Sequence, residues 1–203
     1  MAKKPETDVA IKPKNEIAPK TDWGSMSGIG FESMDKDDYT LPFLNILQDL
    51  SPAVKERREG AIPGNLMNSV TQEIFPAATG IVFQPVAKIS QIVEYIPRKA
   101  GGGFVGIHKP DSPKVLAAIA AMGGGRINGP LLMKTDEGKD SEGIQTVNLY
   151  GFILNEDGTQ QEGPIVISFS STKLKKWREL NTSLSTVKGG GPIFQHRVRV
   201  KTF

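Results

Sequence analysis

Residues 80–98 read GIVFQPVAKISQIVEYIPR. The stretch is dense in β-branched and aromatic side chains with partial alternation, the signature of a half-buried strand. Simple alternation puts Ile81, Phe83, Ala87, Ile89, Val93 and Tyr95 on one face and Gln84, Lys88, Ser90 and Glu94 on the other. Pro85 has no N–H for a sheet ladder, so it marks an edge or a bulge.

Immediately downstream, Arg98–Pro110 (RKAGGGFVGIHKP) carries Gly101, Gly103 and Gly106 at the spacing G-x-G-x-x-G. A dinucleotide-binding turn needs a helix opening at those glycines. Pro110 and Pro113 forbid one, and no G-x-x-x-x-G-K-[ST] phosphate loop occurs in the chain. What remains is a flexible glycine connection between two strand-like segments, with Arg98, Lys99, His108 and Lys109 on its shoulders.

Further along, DSPKVLAAIAAM (111–122) predicts a helix with Ser112 as N-cap, Pro113 at its first position and Gly123–Gly125 as its stop. Two strands follow, IQTVNLYGFILN (144–155) and GPIVISFSS (163–171), joined through Glu156-Asp157-Gly158, a hairpin signal. SSTKLKKWRELNTSL (170–184) predicts a second helix with Leu174, Trp177, Leu180 and Leu184 on one face. The closing PIFQHRVRVKTF (192–203) reads as a strand with Arg197, Arg199 and Lys201 on one face, opposite His196, Val198 and Val200.

Upstream of the long strand, NLMNSVT (65–71) is strand-like, and DDYTLPFLNILQDLSP (37–52) crowds six large apolar residues into one short stretch around Pro42 and before Pro52. A short helix after Pro42 and an extended packing segment would both bury them. Residues 1–35 are rich in Lys, Glu, Pro, Ser and Gly and too poor in apolar groups to offset the entropy of ordering, which predicts a disordered N-terminal tail. Residues 36–203 then form one domain of α+β class: mainly antiparallel β, an OB-like curved sheet or small barrel with two short helices. The chain stops on strand-like residues, the expected pattern of a front part of a longer natural protein.

With 203 residues the chain suits one domain with a real core. The absence of cysteine excludes disulfides, thiolate chemistry and the common structural zinc sites. No apolar run matches a membrane span or a secretory leader, so the expected location is the cytoplasm. The two histidines, His108 and His196, have no companion at ligand or catalytic spacing. The expectation is therefore a non-enzyme without cofactor or metal.

Net charge is only +3, but acids outnumber bases over residues 1–38, so the positive excess lies in the folded part. It gathers in three places: Arg98, Lys99, His108 and Lys109; Lys173, Lys175, Lys176 and Arg178; and Arg197, Arg199 and Lys201. Alternate strand residues stand about 6.7 Å apart, a reach that suits successive phosphates. A soluble edge strand explains the last cluster equally well. Three basic patches near glycine stretches can converge on one groove. Tyr95, Phe104 and Trp177 could supply stacking platforms for bases, although Trp177 also has core spacing.

DDYTLPFLNILQDLSPAV, EYIPRKAGGGFVGIH and ISFSSTKLKKWREL, in this order, resemble a family of small proteins from tailed-bacteriophage genomes found among replication and recombination genes. They look like phage single-stranded DNA-binding proteins of the oligonucleotide-binding barrel type. The resemblance spans Tyr39–Phe203 and implies a sequence-tolerant binder of single-stranded DNA, or RNA, in the bacterial host cell. Its implied partners are a second copy of itself and phage replication or recombination proteins. The resemblance assigns no site residues. The acidic C-terminal tail typical of such binders is missing, which leaves partner recruitment open. The alternative is a phage structural or assembly protein that docks through LPFLNILQDL. A third reading, an enzyme of nucleotide metabolism, rests only on the capacity to hold phosphate.

Overall fold

The structure, a computed structural model, describes residues 40–186 and 191–202. The expected tail, residues 1–35, lies outside the described residues. In chain order the elements are β1 (Leu44–Ile46), α1 (Pro52–Lys55), β2 (Leu66–Asn68), β3 (Ile74–Phe75), β4 (Ile81–Ile96), β5 (Gly103–His108), α2 (Pro113–Ala121), β6 (Leu131–Lys134), β7 (Asp140–Leu154), β8 (Gln160–Ser170), α3 (Lys173–Thr186) and β9 (Val198–Val200).

The long strand read from residues 80–98 organises the molecule. β4 runs for 16 residues, about 50 Å at strand rise, and pairs antiparallel with β7 from Val82↔Leu154 to Tyr95↔Glu142. Each of these two strands changes its outer neighbour part-way along. β9 flanks β4 at Ile81–Phe83 and β5 flanks it at Ile92–Ile96. β6 flanks β7 at Asp140–Gly143, and β8 takes over from Thr146. The resulting six-stranded sheet is antiparallel and open, so the small barrel expected from the sequence does not form. A second antiparallel sheet has the order β1-β2-β3.

Among the described residues, two of the three buried clusters follow from this handover, the third being Leu47, Ala53 and Ala61 beside the small sheet. In one lobe Phe83, Leu149, Ile153 and Ile165 pack under Leu174 and Trp177 of α3, with Leu44, Leu66 and Phe75 of the small sheet. In the other, Ile92 packs under Val115 and Ala118 of α2, with Leu131 and Met133 of β6. Trp177 is 7% exposed and its ring lies 5.9 Å from that of Phe169, so it is a core residue and not a stacking platform.

Simple alternation fails along β4, and Pro85 is the reason. The register passes from Pro85↔Gly151 to Ala87↔Tyr150, leaving Val86 as an extra residue opposite no partner. Because side chains alternate with period two, one extra residue sends everything beyond it to the opposite face. Ile81, Phe83 and Pro85 are buried before the bulge; beyond it Ile92 and Glu94 are buried while Ile89 and Tyr95 face solvent. Lys88 consequently lies on the α3 side, its ammonium 5.9 Å from the centre of the Trp177 ring. Gly151 permits this pairing, since a side chain there would run into the Gln84 carbonyl and the Phe83 ring.

Elsewhere the local signals hold in part. Both expected helices form, joined by the four-residue α1. Pro113 opens α2, but the Ser112 hydroxyl makes no capping bond. The hairpin closes with Gly158 N–H donating to Asn155 O and Asn155 N–H to Thr159 O, each 2.9 Å. Residues 41–48 are extended and 49–50 turn into α1: Leu44 and Leu47 are buried, Leu41, Ile46 and Leu50 exposed. The closing strand shrinks to three residues, because Ile193–Gln195 form a 3₁₀ turn instead. No helix among the described residues is long and apolar enough to cross a membrane.

Candidate nucleic-acid interface

The glycine connection is half turn and half strand. Arg98 and Lys99 sit in a 3₁₀ turn, Gly101, Gly102 and Gly103 take positive φ of 103°, 68° and 132°, and the chain re-enters the sheet as β5. The flexible loop expected here is therefore a tight hairpin, whose glycines supply left-handed turns at no side-chain cost. Pairing in register sets Phe104 opposite Tyr95. Their rings meet edge to face, centres 6.0 Å apart at 70°, and they remain 62% and 42% exposed. Arg98, Lys99 and Lys109 make no ion pair among the described residues.

His108 departs from this group. It lies opposite Ile92, and its Nε2 donates to Glu94 Oε2 at 2.6 Å instead of turning to solvent. The Lys114 ammonium donates to the same oxygen at 2.8 Å, and Ser141 Oγ donates to Oε1. Glu94 is wholly buried, so β4, β5, α2 and β7 converge on one carboxylate. Burial pushes its pKa up, but the hydrogen bonds from Lys114, Ser141 and His108, with the charge of Lys114, outweigh it and hold the pKa below the usual carboxylate value. Burial likewise depresses Lys114, and its bonds and Coulomb attraction to Glu94 and Asp136 leave it raised overall.

On α3, Lys173, Lys175 and Lys176 are exposed, and Lys176 pairs with Glu179 at 2.9 Å. Arg178 points back toward β7, its Nη2 donating weakly to Gln145 Oε1 at 3.5 Å. It lines a cavity of about 370 Å³ with Asn128, Gln145, Ser171 and Thr172. This is where β7 changes partners: β6 pairing ends at Gly143 and β8 pairing starts at Thr146, so Ile144 and Gln145 have no strand neighbour on that edge.

The β9 cluster lies elsewhere. Arg197, Arg199 and Lys201 do share an exposed face, but Arg199 makes a two-pronged ion pair with Glu156 at 2.8 and 2.9 Å, which holds the Glu156 carboxyl low. Arg197 lies against Gly158 of the β7–β8 turn. Val198 pairs with Phe83 and His108 with Ile92, nine residues apart along β4, or about 30 Å. Among the described residues, the hairpin patch and the β9 patch therefore stand well apart along β4.

The family model for Pam3 phage gp34-like proteins matches residues 12–203. The chain belongs to the Pam3 phage gp34-like protein family. Bacteriophage origin follows from that membership. No curated protein and no solved structure matches the chain.

In this gp34-like chain the sequence reasoning missed Glu94, Lys114 and Ser141, and also Arg126, Asn128 and Gln145 around the β7 handover. Glu94 is hidden by the Val86 bulge, which turns an apparent solvent residue inward, and Lys114 and Ser141 reach it from α2 and β7 by non-local packing. For the others a signal exists: an arginine inside GGGRINGP (123–130) is a charged group on a glycine-flanked loop. Among the described residues, no cluster of His, Asp and Glu is placed to hold a metal ion.

Proposed function

We propose that this gp34-like protein binds single-stranded DNA without sequence preference, as a component of phage replication or recombination in the host cytoplasm. The carrying observation is the exposed Tyr95–Phe104 pair at a hairpin whose turn presents Arg98 and Lys99. Every base has a face that stacks on an aromatic ring, and unpaired cations beside such rings neutralise the backbone. An OB-like relationship of the curved sheet belongs to the same reading.

A titration of oligo-dT at several salt concentrations tests it. With three to five cationic contacts among Arg98, Lys99, Lys109, Lys173 and Lys175, the log–log slope of affinity against salt is expected at about −2 to −3.5, from roughly −0.7 per contact on single strands. Phe104→Ala should lose about 1–3 kcal/mol of binding with the slope unchanged. Salt-independent binding, or full affinity in Phe104→Ala, removes the hairpin from the interface. Arg199 is already balanced by Glu156, so Arg199→Ala is expected to leave the slope as it is.

One observation favours phage assembly as the second reading. Leu50 and Ile62, near the small sheet, are 76% and 63% exposed, and exposed apolar side chains suit protein contacts. Absence of binding to any oligonucleotide at low salt, together with concentration-dependent self-association, would put this reading first.

A further inference from the structure

We propose that the crevice at the β7 handover is the channel that seats two consecutive nucleotides of the bound strand, with Arg178 and Arg126 each taking one phosphate. The inference rests on the single-strand reading and deepens it by naming a second contact region, away from the hairpin.

Two cavities adjoin there, of about 370 and 450 Å³. Each falls within the size range of ligand sites. They share Ile127, Asn128 and Gly129 as a common wall, and both open to solvent. A closed pocket would suit a free small molecule, whereas two open chambers side by side suit a polymer that continues past each end. Each chamber holds one arginine, Arg178 in the first and Arg126 in the second, and neither lining contains Asp or Glu. Neither arginine makes an ion pair among the described residues.

The linings divide by chemistry. In the first chamber the amides of Asn128 and Gln145 and the hydroxyls of Ser171 and Thr172 stand beside Ile144 and Leu174, which offers both donors and acceptors to a base edge and an apolar wall to its face. The second is bounded by Ile119, Met122 and Leu131 and by Gly124 and Gly125. Those two glycines take φ of 75° and 86°; the Gly124 N–H closes α2 on the Ile119 carbonyl at 2.8 Å, and the Gly125 N–H, with no side chain beside it, can approach a phosphate closely. The crevice itself exists because Ile144 and Gln145 lack a strand neighbour. A continuous sheet at this point would fill it.

The test uses the full chain and (dT)12 carrying 5-iododeoxyuridine, with photocross-linked peptides mapped by mass spectrometry and affinities measured for Arg126→Gln, Arg178→Gln and the double variant. Cross-links within 126–130 and 171–178 are expected, and each substitution should make the salt slope shallower by about 0.7. Arg126 is exposed, so Arg126→Gln reports on binding even should Arg178→Gln prove unstable. Unchanged affinity and slope in the double variant, or cross-links confined to 95–109, overturns the channel. In that case wild-type binding that falls in Phe104→Ala leaves the single-strand reading standing. No binding of (dT)12 by the wild type overturns both.

Discussion

Lys114→Met is expected to destabilise the domain by about 3–5 kcal/mol at neutral pH, the usual cost of removing one partner from a buried ion pair. Glu94 is wholly buried and receives Lys114, His108 and Ser141. Removing the ammonium leaves a desolvated carboxylate with two weaker partners. The pH dependence should then change sign. In the wild type the Glu94 pKa is lowered on folding, so its contribution is complete above the unfolded carboxylate pKa of about 4.3 and is lost as pH falls toward the folded value. Without Lys114 the burial effect dominates and raises the pKa, so acid protonates the group and relieves the penalty. Urea unfolding at pH 7 and pH 4 checks this: the gap between variant and wild type should shrink at pH 4. An equal gap at both would show that Lys114 acts through packing and not through charge.

Phe83→Ala is the second large effect, about 3–5 kcal/mol, because a fully buried ring is removed and the rigid sheet behind it cannot close the cavity. The ring packs in the cluster of Leu149, Ile153, Ile165 and Trp177 and fills the space that Gly151 leaves open. Ile89→Ala provides the control. Simple alternation places Ile89 on the same face as Phe83, yet beyond the bulge it is 48% exposed. It should cost under about 1 kcal/mol, near the range of surface substitutions. Similar losses for the two variants would mean that the register slips past Val86.

Much of the architecture was legible because it rests on local chemistry. Pro113 and the glycines after Met122 bound α2, the Leu174–Trp177–Leu180 spacing marked the buried face of α3, and Asn155–Thr159 closed the hairpin. What stayed hidden is set by non-local pairing. One unpaired residue, Val86, inverted half of β4 and concealed the Glu94 cluster. β6, at four residues, is too short for alternation to register. The distribution of basic patches was readable as composition, but their separation along β4 follows from which strand pairs where, and no sequence window contains that. Tyr95 and Phe104 both stand out in the sequence as stacking candidates, but only the cross-strand register brings their rings together.

The exchange of neighbours along β4 and β7 also sets which changes this chain should tolerate. The buried clusters under α3 and under α2 share no member, so substitutions in one should combine additively with substitutions in the other. Val115 or Met133 can drift without asking anything of Phe83 or Trp177. What both halves hold in common is the backbone count of two strands. An insertion or deletion within a loop such as 123–130 alters one crevice alone, whereas a single residue gained or lost between Pro85 and Ile92 shifts one lobe by a whole face against the other. The ribbon thus behaves as a reading frame: tolerant of changed letters on either side, intolerant of a changed number of them.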